Sequence, residues 1–192
     1  ARVPSASSSG LEYALTAYWR AQGWLPEPAA LGLPEPVAQI VAVSGSCAPM
    51  SGAQIRQARQ QGFDTWRLDV ARCLDEAETE DELRRLQGLA LDSLARGRSA
   101  LVFSAEGPDD PAVTGFDALL AAHGLDRSAG AHHIGQALAE VMRRVLDASG
   151  VRRAVVAGGD SSGAVMSHLQ VRALTVAAAA APGVPLCRAW SD

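Results

Sequence analysis

The sequence contains no lysine, because all 17 of its basic residues are arginines. A Walker-type phosphate-binding loop is therefore excluded, since its lysine must reach the phosphates of the nucleotide. Asparagine is absent as well, and the two absences together are typical of a GC-rich bacterial genome.

An excess of positive charge is also lacking. The formal net charge is −4 at pH 7, which argues against a nucleic-acid partner. Apolar runs stay well below the roughly 20 residues that a membrane-spanning helix needs, and the first residues lack the basic and apolar regions of a signal peptide. We therefore expect a cytoplasmic protein with neither a nucleic-acid nor a membrane partner.

Cysteine is scarce, with only Cys47, Cys73 and Cys187 present. They form no C-x-x-C pair, so the sequence favours free thiols over a zinc site or a disulfide framework. For Cys47, which follows a predicted strand, a buried inert thiol is favoured over a reactive one. His132 and His133 point in different directions on a helix, which disfavours metal binding, and we predict no metal-ligating side chains. No serine stands in a G-x-S-x-G elbow, so the sequence gives no support for hydrolysis by a nucleophilic serine.

The order of runs along the 192 residues predicts an α/β fold. Strand-like runs are followed by small-residue turns and then by amphipathic helices, a pattern that repeats about four times and indicates a mostly parallel sheet with helices on both faces. Residues 24–36 read as a proline-rich connector, 108–130 as a surface excursion with one short helix, and 172–178 as a final strand. The predicted strands lie at 40–43, 63–70, 99–103 and 152–160, and the predicted helices at 11–23, 50–62, 75–96, 131–149 and 161–169.

Two of the turns consist of small residues, Ser44-Gly45-Ser46 and the run from Gly158 to Gly163. Ligands of parallel α/β sheets bind outside the carboxyl ends of the strands, so we expect both turns to face one crevice. Taken alone, Ser44 to Ser46 is better explained as a plain turn.

The second turn has what an anion site needs. Glycines let the backbone approach a ligand closely, a helix start supplies unpaired N–H groups, and Ser161 and Ser162 add hydroxyls. Asp160 would repel phosphate, and it could instead hold Mg²⁺ through water, bond a ribose hydroxyl or cap the helix. On these residues alone, a plain turn and a phosphate cradle remain equally good explanations.

The pair Asp109-Asp110 lies in a loop rich in glycine and proline, which predicts an Asx-type turn.

Three blocks of sequence resemble the C-terminal, nucleotide-binding domain of the four-carbon acid sugar kinases. They are VSGSCAPMSGAQIRQARQQGFDTWRLD (43–69), VVAGGDSSGAV (155–165) and APGVPLCRA (181–189). The family pattern is similar to G-S-C-S-x-x-T-x-x-Q, G-G-D/E-T-S-G-A and P-G-V-P in the same order. This chain departs from the pattern at Ala48, where the family usually has serine. It also has Ser51 and Ser161 where threonine is common, and Ser161 keeps the hydroxyl of that threonine.

The resemblance implies a Rossmann-like nucleotide-binding domain that uses ATP and Mg²⁺. It implies that ATP phosphates lie against the second turn and that the first turn also contacts the nucleotide. The implied nucleotide-binding residues are Ser44, Gly45, Ser46, Gly158, Gly159, Asp160, Ser161, Ser162 and Gly163. The family phosphorylates the terminal hydroxyl of erythronate, threonate or 3-oxo-tetronates by positioning the groups and stabilising charge.

The acidic D-D-x-T-G-type motif of the family's substrate domain is missing from this chain. The resemblance therefore implies that residues 1–192 are the C-terminal half of a two-domain kinase. The catalytic base and the sugar-acid site would belong to the N-terminal domain, so this chain alone would bind nucleotide weakly and phosphorylate nothing. A homodimer is compatible with the sequence, since apolar helix faces serve cores and interfaces alike.

Two other functions remain as alternatives. One is a non-catalytic nucleotide- or small-molecule-sensing α/β domain. The other is a dinucleotide-dependent enzyme. The sequence of the second turn argues against it, because residues 158–163 are G-G-D-S-S-G and not the G-x-G-x-x-G of dinucleotide-binding proteins.

Overall fold

The computed structural model describes residues 9–27, 35–181 and 184–191. The chain divides into two compact units, one that combines residues up to Glu35 with Arg172–Trp190, and one formed by Pro36–Val171. The candidate site lies in the second unit. The prediction of a single nucleotide-binding domain over 1–192 stays a prediction.

The second unit contains a four-stranded parallel sheet. Its strands are β1 (Val41–Ser44), β2 (Asp64–Arg67), β3 (Ala100–Phe103) and β4 (Ala154–Ala157), in the order β2-β3-β1-β4. The central strand β1 is in parallel register with both neighbours, so that Ser44 at its carboxyl end lies opposite Phe103 of β3 and Ala157 of β4.

Every residue of β1 and β3 is buried, because helices cover both faces of this sheet. Val41 and Val43 point to one face and pack with residues of three helices, α4 (Glu76–Ala95), α7 (Arg127–Ser149) and α8 (Gly159–His168). Ala42 points to the opposite face, where it packs with Ile55 of α2 (Pro49–Gln60), as the alternation of side chains along a strand requires. The predicted mostly parallel α/β fold is confirmed.

The segment 108–130 differs from its prediction of one short helix. It contains α5 (Pro111–Thr114), α6 (Phe116–Ala122) and the first residues of α7. A further short helix that the sequence reading missed, α3 (Val70–Leu74), follows β2. Aspartate side chains accept hydrogen bonds from the N-terminal N–H groups of three of these helices, Asp69 at α3, Asp110 at α5 and Asp126 at α7, and such caps stabilise even single helical turns.

The first unit contains α1 (Ser9–Ala21) and an antiparallel hairpin of β5 (Ala173–Ala181) and β6 (Val184–Trp190). The predicted final strand therefore exists, but it belongs to a separate two-stranded sheet and not to the parallel one. Most of the predicted proline-rich connector, at 28–34, and Pro182-Gly183 lie outside the described residues. Among the helices in the described ranges, none has the length and apolarity that crossing a membrane would take.

The Glu82 carboxylate anchors α4 to the chain that follows β2. The side chain is buried and accepts hydrogen bonds from the Asp69 N–H at 2.9 Å, from Arg85 at 2.6 and 2.7 Å and from Arg72 at 3.3 Å. One carboxylate thus fixes the turn between β2 and α3.

Replacing this carboxylate is expected to destabilise the fold. We expect Glu82→Ala to lower the free energy of unfolding by about 1.5–3 kcal/mol, because hydrogen bonds to a charged group are lost in a buried place. The matched control is Glu78→Ala, which removes the exposed second partner of Arg72 and should cost less than about 1 kcal/mol. Urea denaturation of both variants measures the difference, and equal losses would contradict this role for Glu82.

Acid should weaken the packing of α7 through Glu140. Hydrogen bonds from Arg143, and then from Arg144 and from His168 of α8, lower the pKa of Glu140 from its ordinary 4.5 to about 2. Since the pKa is lower in the folded chain, Glu140 stabilises the fold fully above about pH 4.5, and this contribution is lost as the pH falls towards 2.

We therefore expect Glu140→Gln to reduce the loss of stability between pH 5 and pH 3, measured as the change in the urea midpoint. The control is Asp92→Asn, an exposed position on α4, which should leave that pH dependence as in the parent. An unchanged pH dependence in Glu140→Gln would refute the assignment.

Candidate functional site

The two small-residue turns lie against each other at the carboxyl ends of β1 and β4. The Gly45 N–H donates to the Ala157 carbonyl at 3.0 Å. A Cβ atom on Gly45 would lie 2.1 Å from the Ser161 Oγ, and one on Gly158 would lie 3.3 Å from the Ser46 nitrogen. Glycine at both positions therefore lets the two turns pack directly against each other, as predicted for two turns that share a crevice.

The topology of the sheet opens a crevice at this place. After β1 the chain continues into α2 on one face, whereas after β3 and β4 it continues into α7 and α8 on the other face. Connections that leave neighbouring parallel strands in opposite directions create the switch point at which such sheets bind ligands. Both turns lie at that point.

The two helices that begin at these turns have no side-chain cap. α2 starts after Ala48 with Pro49 in its first turn, and α8 starts after Gly158, whose φ is +118°. Asp160 therefore does not cap α8, and that explanation of the acid is wrong. Aspartates do cap four other helices of this unit, namely α3, α4, α5 and α7. The first N–H groups of α8 are thus left for a ligand or for water, and a helix N-terminus favours an anion. α2 offers fewer, because Pro49 has no N–H and the Ser51 N–H donates to the Ala48 carbonyl at 3.0 Å.

The hydroxyls of the first turn form a small network. The Ser51 hydroxyl donates to the Ser46 Oγ at 2.8 Å, so the serine that departs from the usual threonine still supports this turn. Ser44 is buried, and its Oγ has no hydrogen-bond partner among the described residues. A buried hydroxyl without a partner is costly, which is consistent with a site that a ligand or a bound water completes.

In the second turn the two serines have different surroundings. The Ser162 hydroxyl donates to the Gly158 carbonyl at 2.6 Å and so stabilises the first turn of α8. Ser161 is buried against Gly45, while Asp160 and Gly159 are exposed at the helix start. The groups that this turn presents outward are backbone N–H groups and the Asp160 carboxylate.

A cavity of about 360 Å³ adjoins the two turns. Gly45, Cys47, Asp160 and Ser161 line it on the side of the turns. Its remaining walls come from the turn after β3 and from α3, α5, α6 and α7, and they are mainly apolar: Ser104, Ala105, Val70, Ala112, Val113, Phe116, Arg127, Ala131, Ile134 and Gly135. Sequence reasoning missed these walls, most of which come from the 108–130 segment and the start of α7.

Cys47 is exposed at this cavity, so the prediction of a buried thiol is wrong. Partial burial, followed by the negative charge of Asp110, raises the pKa of the Cys47 thiol. A raised pKa lowers the thiolate fraction at neutral pH and so disfavours a role as a nucleophile. Asp110 itself caps α5, which agrees with the predicted Asx-type turn.

A wider cleft of about 640 Å³ lies at the carboxyl end of β2. Its two arginines already have partners, since Arg67 contacts Asp110 at 2.8 Å and Arg85 contacts Glu82 at 2.6 Å. The charges of this cleft are thus balanced within the protein, and it contains none of the predicted site residues. The smaller cavity at the two turns is therefore the candidate site.

The described residues contain no group of three or more His, Cys, Asp or Glu side chains that could hold a metal ion. A Mg²⁺ ion that arrives with a nucleotide needs less, because one or two carboxylates and the phosphates hold it. The exposed Asp160 at the start of α8 fits that requirement.

The sequence matches the family model described as "Nucleotide-binding C-terminal domain" over residues 41–192. It is 56% identical over 187 residues to the 3-oxo-isoapionate kinase of Paraburkholderia graminis, a match that covers 97% of this chain and 40% of that protein. It is 34% identical to the 3-oxo-tetronate kinase of Cupriavidus necator, covering 92% of this chain and 38% of that protein. The chain thus spans about 40% of the length of these relatives.

Among solved structures, the fold is similar to that of a Haemophilus influenzae protein. The TM-score is 0.68 at 24% identity, and the match covers 94% of this chain and 40% of that one. At this identity the likeness concerns the fold alone. The family model and the two kinase relatives confirm what the three motif blocks indicated: the chain belongs to the nucleotide-binding C-terminal domain family of the four-carbon acid sugar kinases.

Proposed function

We propose that this chain is the ATP-binding domain of a kinase that phosphorylates a terminal hydroxyl of a sugar acid. The observation that carries the proposal is the contact between the two turns, which leaves the N-termini of α2 and α8 uncapped at the switch point of the sheet. The proposed nucleotide-binding residues are Ser44, Gly45, Ser46, Gly158, Gly159, Asp160, Ser161, Ser162 and Gly163.

The phosphates are assigned to the first turn of α8. Glycines at 158 and 159 leave the backbone N–H groups unshielded, and a side chain at Gly159 would extend into open space rather than into the protein. With no lysine in the sequence, backbone amides and the helix dipole provide the positive potential.

Mg²⁺, when bound with the nucleotide, neutralises the phosphate charge during phosphoryl transfer. Asp160 is the residue of this chain that we assign to the ion or to its water shell, because its carboxylate is exposed at the start of α8 and does not cap the helix. This assignment also explains how an acid is tolerated in a phosphate site, since a cation held by Asp160 would offset the negative charge of the carboxylate and of the phosphates.

We assign the acceptor to the class of 3-oxo sugar acids. The 56% identical relative is named for 3-oxo-isoapionate and the 34% identical one for 3-oxo-tetronate. The chain spans about 40% of these relatives, and we place the acceptor site and the catalytic base in an N-terminal domain of a longer protein. Coupled kinase assays of the full-length protein with 3-oxo-isoapionate, 3-oxo-tetronates, erythronate and threonate test the assignment, which fails if none of the 3-oxo acids is phosphorylated.

A substitution at Gly159 tests the phosphate assignment directly. We expect Gly159→Val to weaken Mg·ADP binding by about tenfold or more, because its side chain occupies the space in front of the α8 amides and costs at least one hydrogen bond to a charged group. Isothermal titration calorimetry on the full-length protein measures the change.

The matched control is Gly88→Val on α4, since a Cβ atom there also meets open space and the residue is exposed. It introduces the same β-branched side chain into a helix and should leave Mg·ADP affinity unchanged. Equal affinities of the two variants, or no nucleotide binding by the parent protein, would overturn the proposal.

A further inference from the structure

We infer that the cavity beside the two turns receives the nucleoside part of the nucleotide, with the base between Phe116 and the start of α7. This inference rests on the proposed function. It adds a second subsite, built from residues outside the three motif blocks.

The position of the cavity relative to the proposed phosphate site carries the first step. Gly45 and Ser161, which form the contact between the turns, line the cavity together with Asp160. A ligand whose phosphates lie at the first turn of α8 therefore continues into this cavity. At about 360 Å³, the cavity falls within the range of roughly 300–1,000 Å³ of sites for small molecules.

The chemistry of the walls carries the second step. Seven of the lining residues are apolar, and they come from the turn after β3 and from α3, α5, α6 and α7: Val70, Ala105, Ala112, Val113, Phe116, Ala131 and Ile134. Such walls suit the faces of a flat heteroaromatic base, and an aromatic ring such as that of Phe116 adds stacking. Buried Ser104 lines the cavity too and offers a hydroxyl to a polar edge.

The charges around the cavity exclude the sugar acid as its occupant. The arginine among its lining residues, Arg127, contacts Asp117 at 2.6 Å, and Asp160 places a negative charge at the cavity. A carboxylate ligand would meet this charge and mainly apolar walls, and the arginine that lines the cavity is already paired with Asp117. Ribose is different, because it carries no charge and meets no repulsion from Asp160.

A cavity-filling substitution separates the two subsites. Ala131 is half-buried on α7 and lines the cavity, whereas Ala129 is half-buried on the same helix and does not line it. We expect Ala131→Phe to weaken Mg·ADP binding by at least about tenfold, the scale of discrimination that one pocket contact provides, and to leave binding of inorganic tripolyphosphate unchanged. Ala129→Phe should bind both ligands like the parent.

Removal of the ring provides a second variant that does not crowd the fold. Phe116→Ala should weaken Mg·ADP binding by about tenfold, the value of one base stacked on an aromatic side chain, and again spare tripolyphosphate. Photolabelling of the full-length protein with 8-azido-ADP should place the label in the 111–135 stretch, and excess ADP should prevent it.

The possible outcomes separate this inference from the proposed function. Loss of ADP binding with retained tripolyphosphate binding in both cavity variants supports the inference. Three outcomes overturn the cavity assignment and leave the phosphate site standing. They are an unchanged ADP affinity in both variants, an equal loss of ADP and tripolyphosphate binding, and a label confined to peptides outside 111–135. Failure of the parent protein to bind either ligand overturns the proposed function itself.

Discussion

Gly45 approaches Ser161 so closely that a single added carbon would lie 2.1 Å from the Ser161 Oγ. This contact joins the end of the central strand β1 to the start of α8, and the N–H of Gly45 is held by the carbonyl of Ala157 at the end of β4. Two adjacent strands in parallel register thus determine where the uncapped helix points. The candidate site depends on this packing, since a larger side chain at 45 would push the first turn of α8 away from the other turn.

A second close approach fixes the opposite side of the site. A Cβ atom on Gly52, in α2, would lie 2.1 Å from the carbonyl oxygen of Glu106, which belongs to the turn after β3. That turn is held by Asp110, which accepts hydrogen bonds from the Glu106 N–H at 2.8 Å and from Arg67 at 2.9 Å. Although burial acts to raise it, the pKa of Asp110 is lowered by these hydrogen bonds, that from Glu106 foremost. The carboxylate therefore stays ionised and keeps the cavity wall in place.

The sequence predicts those parts of the fold that depend on local periodicity. The buried runs of β1 and β3 and the long helix α4 follow from apolar spacing, and the glycines of both turns indicate close backbone approach. The prediction of one short helix over 108–130 is wrong, because two helices of four and seven residues are too short to show a period. The capping aspartates Asp110 and Asp126 were the signal for helix starts in this segment. Gly52, a glycine inside the helical pattern of α2, was a signal for the close approach of the turn after β3.

The cavity walls could not be read from the sequence for a different reason. Val70, Phe116 and Ile134 come from three separate segments and meet only because the chain leaves β2 and β3 on the same face of the sheet. No spacing rule connects them. The same holds for the pairing of β5 with β6 outside the parallel sheet, since an alanine-rich strand carries no alternation that specifies its partner.

The absence of lysine shapes the electrostatics that this site can use. Amide dipoles are fixed by the fold and carry only partial charge, so they neutralise a triphosphate less completely than an ammonium group does. With Asp160 at the start of α8 and a net charge of −4, a nucleotide without a cation would meet net repulsion. A site of this kind selects the magnesium complex over the free nucleotide, and its affinity must come largely from burying an apolar part of the ligand. The apolar cavity next to the turns meets that requirement. Under the proposed function the two subsites are complementary, because the turns would orient the phosphates while the apolar cavity would bury the base.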